Sequence, residues 1–129
     1  TGPRVGPVII SEVMYNPIGP SAAELAIDDS LVAGDFDYIE LINTSQSDTL
    51  DLQGVRFTTG VIFDFTGSAV TQLAPGQRTL VVHNRSAFQA RYGDDLMPSI
   101  AGGAFCCART FSISPYPEPP EAWSPWLWL

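Results

Sequence analysis

Hydrophobic residues recur at every second position along much of this chain, in short runs separated by polar, glycine or proline turns. Val8-Ile9-Ile10 and Val13-Met14-Tyr15, interrupted by Ser11-Glu12, predict a strand ended by Asn16-Pro17 and Gly19-Pro20. Ser21-Ala22-Ala23-Glu24 has the cap hydroxyl and third-position acid of a capping box. With Leu25, Ala26 and Leu31 it predicts a loop carrying one or two helical turns. From Phe36 to Ile42 apolar groups fall on both faces, so this strand is expected to lie between two layers. Asn43 to Asp48 is a polar turn cluster, and Leu50-Asp51-Leu52 is a short strand punctuated by Gly54. Val55 and Phe57, then Val61, Phe63 and Phe65, step by two around Thr59-Gly60, which predicts a hairpin. Leu73-Ala74-Pro75-Gly76 reads as a turn, and Thr79-Leu80-Val81-Val82 as the most buried strand. Arg85 to Tyr92 suits a short helix that Gly93 stops.

Short strands with turn signals roughly every ten residues describe an all-β antiparallel sandwich with helical segments on its connections. A length of 129 residues fits one domain with one core. A hydrophobic share of 45% excludes a generally disordered chain. No apolar run reaches the roughly 18 residues a membrane-spanning helix needs. Thr1-Gly2-Pro3-Arg4 shows no signal-peptide pattern.

The charge balance narrows the partners. Fourteen acidic against 6 basic residues give a net charge of -8, and every basic residue is Arg. A polyanion such as DNA would be repelled, since nucleic-acid affinity rests largely on neutralising phosphates. Arg4, Arg56, Arg78, Arg85 and Arg91 are scattered singly and form no basic stripe.

Candidate chemistry is sparse. Glu12 and Glu40 lie in strands with Asp35 and Asp37 nearby, a set that paired-carboxylate catalysis would use. The plainer expectation is that each strand Glu pairs with an Arg or bonds to backbone. Asp28-Asp29 with Asp35 and Asp37 offers oxygen ligands for calcium, but without the alternate-residue spacing of a dedicated loop. Asp94-Asp95 is a weaker case of the same kind. His83 is the only histidine and is expected at a strand end, with no nucleophile elbow to serve. Cys106-Cys107 are neighbours, too close for an ordinary disulfide and lacking metal-site spacing, and read as two free thiols. Asn43-Thr44-Ser45 and Asn84-Arg85-Ser86 spell glycosylation acceptors. No catalytic residue, cofactor or metal is therefore expected.

Five segments also resemble a known family. Val8-Ile-Ile-Ser-Glu-Val-Met-Tyr-Asn-Pro17, Phe36-Asp-Tyr-Ile-Glu-Leu-Ile-Asn43 and Leu50-Asp-Leu-Gln-Gly-Val-Arg-Phe57 resemble the opening strands of bacterial lamin-tail domains. Leu73-Ala-Pro-Gly-Gln-Arg-Thr-Leu-Val-Val82 and Phe88-Gln-Ala-Arg-Tyr-Gly93 resemble that family's next strand and short helix, in the same order. The resemblance implies an immunoglobulin-like β-sandwich over residues 1–105. It also implies a non-catalytic module of secreted or cell-surface proteins, acting on protein partners by docking or adhesion.

After Phe105 the sequence departs from that pattern. Five of the 11 prolines and all three tryptophans fall in the last fifteen residues, within an atypical tail over 106–129. Thr110 to Ser114 predicts one strand, and the proline-rich piece an extended chain. The tail admits three readings: a genuine variant packed over the sandwich, a segment foreign to the family through truncation or a shifted reading frame, and a docking element. Trp123, Trp126 and Trp128 are the candidate partner-binding residues. They would serve protein docking or self-association, or would stack on sugar rings in a carbohydrate- or polymer-binding module.

Overall fold

A computed structural model describes residues 6–59, 61–102 and 112–114. Among the described residues eight strands run in chain order: β1 Val8–Met14, β2 Tyr38–Asn43, β3 Leu50–Asp51, β4 Arg56–Thr59, β5 Gln72–Leu73, β6 Arg78–Val82, β7 Ile100–Gly102 and β8 Ser112–Ser114. Two helices interrupt them, α1 Ala22–Ile27 and α2 Arg85–Tyr92.

The main sheet has the order β1-β2-β6-β7. β1 and β6 both pair antiparallel with β2, while β7 runs parallel to β6, so this sheet is mixed where the alternation predicted antiparallel strands throughout. Parallel neighbours need a long crossover, and α2 with the following turns supplies it. The second layer is built from two small pairs, β3 with β5 and β4 with β8. The expected hairpin is reduced to a single bridge, Arg56 opposite Asp64: the Phe57 amide donates to the Phe63 carbonyl at 3.0 Å and the Phe65 amide to the Val55 carbonyl at 2.9 Å, but 61–65 form no strand and β4 pairs with β8. Its turn residue Gly60 lies outside the described residues.

The two-faced β2 explains the layering. Ile39 and Leu41 point one way, with Val81 and Ala101, into a core shared with Leu52, Val55, Phe57, Val61, Phe65 and Leu73 of the second layer. Tyr38 points the other way, with Leu80 and Val82, against Phe88 of α2 and Ile100. Neighbouring residues of β2 are thus both buried because each face carries its own cover. The strand begins later than the alternation suggests. Phe36 belongs to a 3-10 turn over Ala33–Phe36 and is fully buried there.

Local chemistry sets the boundaries. The Ser21 hydroxyl accepts the Glu24 amide and the Glu24 carboxylate accepts the Ser21 amide, closing the capping box. Asn84 caps α2 by accepting the Ala87 amide at 3.1 Å, and Gly93 ends it at φ 79°. The turn after β5 closes through the Gln77 amide on the Ala74 carbonyl, with Gly76 at φ 72° as its third residue. β8 falls inside the stretch predicted as a strand after residue 105.

Candidate functional site

β1 is the outer strand of the main sheet, and its ladder fixes which backbone groups face outward. The Thr44 amide donates to the Pro7 carbonyl at 2.7 Å. The Asn43 amide donates away from β1, to the Gln77 carbonyl at 3.0 Å, and the Asn43 carbonyl accepts the Gly76 amide at 2.9 Å. Antiparallel pairs alternate between bonded and non-bonded. Ile9 opposite Ile42 and Met14 opposite Tyr38 are therefore bonded pairs. Val8 opposite Asn43, Ile10 opposite Leu41 and Val13 opposite Ile39 are not. The N–H and C=O groups of Val8, Ile10 and Val13 point to the open side, where no strand pairs with them among the described residues. A bulge at Ser11 shifts the register between Ile10 and Glu12. Such bulges twist an edge and limit uncontrolled pairing.

Exposed apolar residues lie in and just after β1: Ile9, Val13, Tyr15 and Ile18, the last at 88%, with Ile9 and Val13 on opposite faces of the sheet. The segment carrying Ile18 is clipped to α2 by Arg91. Its Nε and Nη2 donate to the two carboxylate oxygens of Glu24, each at 2.9 Å. Nη1 donates to the Ile18 carbonyl at 3.0 Å and Nη2 also to the Gly19 carbonyl at 3.1 Å. The guanidinium lies 3.4 Å over the Phe36 ring. Hydrogen bonds from Arg91, and then from the Ser21 amide, hold the Glu24 carboxyl down to about 2. Nothing in the sequence joined Glu24 to Arg91, 67 residues apart; only the fold brings them together.

The acidic candidates disperse. Glu12 and Glu40 are register partners, yet the carboxylates have different duties. Glu12 accepts the Tyr38 hydroxyl at 2.7 Å; burial, and then that bond, raise the Tyr38 phenol. Glu40 accepts the Ser11 hydroxyl at 2.7 Å and pairs with Arg78 at 3.1 Å. Asp28 accepts the Ser30 amide and hydroxyl, which lowers its carboxyl. Asp35 accepts the Val32 amide at 2.8 Å and lies 4.0 Å from His83 Nε2. Asp37 is raised, chiefly by burial, with one carboxylate oxygen lacking a hydrogen-bond partner. His83 stands half-buried just past β6, its amide on the Asp37 carbonyl at 2.9 Å. Asp94 accepts the Gln89 amide nitrogen at 2.6 Å. Among the described residues no three His, Cys, Asp or Glu side chains come together as a metal site.

The glycosylation spellings separate cleanly. Asn43 is fully buried and donates to the Asp48 and Leu73 carbonyls, so it is closed to modification. Asn84 is occupied as the α2 cap. Cys106, Cys107, Trp123, Trp126 and Trp128 lie outside the described residues.

The described residues build two β-layers with an open outer strand, and among them no catalytic set is brought together. The model of the Lamin Tail Domain family matches residues 1–104, and the chain belongs to that family. Its members are non-enzymatic, immunoglobulin-like interaction domains. No curated protein and no solved structure matched the chain. Among the described residues no helix is long and apolar enough to cross a membrane.

Proposed function

We propose that this lamin tail domain is a non-catalytic docking module of a secreted or cell-surface bacterial protein, and that it recruits a protein partner at the edge of β1. Residues 1–105 form the module and 106–129 an appended tail. The observation that carries the reading is the row of outward backbone groups at Val8, Ile10 and Val13, in a strand that carries exposed Ile9 and is followed in the chain by exposed Tyr15 and Ile18. Such an edge offers main-chain hydrogen bonds for affinity and alternate side chains for specificity. An exposed strand edge of this kind is otherwise an aggregation hazard, so its retention in a chain of net charge -8 fits a surface kept soluble by charge and used for contact.

The test is photo-crosslinking in the source organism, scanning exposed positions of the full protein, combined with protease shaving of intact cells. The reading expects a saturable crosslink to a defined protein, and loss of the domain on shaving. No protein crosslink from any position, or a domain protected inside intact cells, would overturn it.

A further inference from the structure

We propose that the outer edge of β1 receives an extended, basic segment of a partner protein, with an apolar residue beside Ile9 and a Lys or Arg two positions away beside Glu12. This rests on the docking reading above and specifies its register and chemistry.

The spacing follows from the bulge. Ile9 and Glu12 are three apart in β1 but face Ile42 and Glu40, which are two apart in β2. The extra residue at Ser11 is absorbed by the bulge, so a regular strand laid on the other side of β1 meets the same contraction. Its residues beside Ile9 and Glu12 are then two apart and lie on one face. Ile9 is 37% exposed and offers apolar contact there. Glu12 is exposed, with Oε1 accepting the Tyr38 hydroxyl, so its carboxylate is held at the edge rather than swinging free. A cation directly alongside is the complementary neighbour, and a like charge there is disfavoured.

Charge selects among the occupants. Arg78 and Arg91 are already engaged by Glu40 and Glu24. A second copy would bring another net charge of -8. Residues 115–129 of this chain contain five prolines, two Glu and no basic residue, so they lack the charge the edge calls for and a third of the amides. A basic partner segment satisfies both.

The probe is the labelled peptide acetyl-Thr-Lys-Thr-Val-Thr-Lys-Thr-amide, which presents the apolar-x-basic pair in either direction. A control replaces both Lys by Glu. With the full chain, the Lys peptide is expected to bind and the Glu peptide to bind at least about tenfold more weakly. Glu12→Gln should weaken the Lys peptide by about threefold and reduce its salt dependence. Val13→Pro removes an outward amide without removing a bond to β2, so affinity should fall about fivefold at unchanged melting temperature. Equal binding of both peptides, no binding at millimolar concentration, or an unaltered affinity in Val13→Pro would overturn the proposal. So would a Ser11→p-benzoylphenylalanine crosslink to residues 115–129 or to a second copy in place of the peptide. Crosslinks to a protein partner from other surfaces alone would sink this register while leaving the docking reading standing.

Discussion

The middle of the main sheet and the excursion from Tyr15 to Val32 are held together by different physics. In β2 and β6, Ile39, Leu41, Val81 and Val82 are at most 2% exposed, and each face has its own apolar cover. The excursion leaves Tyr15, Ile18, Leu25, Ile27 and Val32 exposed and buries little besides Leu31 and the Glu24 carboxylate. Its attachments are the Arg91 clip and the packing of Leu31 against Phe36 and Ala87. The sheet therefore resists change through non-directional burial spread over many residues, whereas the excursion depends on a few directional bonds to one guanidinium. Rigidity sits in the body, and exposed apolar side chains are concentrated in the excursion that follows β1.

That contrast can be broken most forcefully in the body. Leu41→Ala should cost about 3 kcal/mol of global stability in urea unfolding, through lost burial and a cavity between the layers. A cost near zero would mean that the two layers are not packed as described. Gly102→Ala comes next. Gly102 has φ +147°, and an added Cβ would lie 2.9 Å from Phe63 Cε2. Backbone strain and a displaced ring should together cost about 2 kcal/mol.

Arg91→Met sharpens the comparison from the other side. It keeps an apolar stem over Phe36 and removes the donors. Amide protection of Leu25 and Asp28, which bond to the Ser21 and Glu24 carbonyls, should fall about tenfold while Leu41 and Val81 hold theirs. The effect carries a pH signature. Glu24 sits at about 2 in the fold against an ordinary 4.5, so its contribution is complete above the unfolded value and drains away as pH falls from 4.5 towards 2. The gap between wild type and Arg91→Met should therefore narrow as pH falls towards 2, leaving the share due to the Ile18 and Gly19 carbonyl bonds, which do not titrate. A gap that does not shrink between pH 5 and pH 2 would show that the Glu24 pair contributes nothing to it. Smallest of all, Ile27→Ala on the 72% exposed face of α1 should change stability by less than about 0.5 kcal/mol, measured in the same urea titration.

The succession of strands along the chain and the two-layer arrangement were legible because the alternation is local. Phe36 to Ile42 carries apolar groups on both faces, and β2 is covered on both faces. Arg85 to Tyr92 ends at Gly93 as its composition requires. The parallel pairing of β7 was not legible, because three residues of strand after a helix carry no direction in their pattern. The start of β2 was misplaced because Phe36, apolar and in phase, is buried from a 3-10 turn by Arg91 and not from the sheet. The edge itself was half-visible. Ser11-Glu12 breaks the run of β1 in the sequence, but only the register shows that the break is a bulge and that Val8, Ile10 and Val13 face outward.

β1 keeps one row of amides bonded to β2 and the other open. Residue-resolved amide hydrogen exchange on the full chain tests it directly. Slow exchange at Ile9 and Met14, alternating with fast exchange at Val8, Ile10 and Val13, is the predicted result. Uniform protection along the strand would contradict it by showing the edge already filled, and uniform fast exchange would contradict it by showing β1 unpaired.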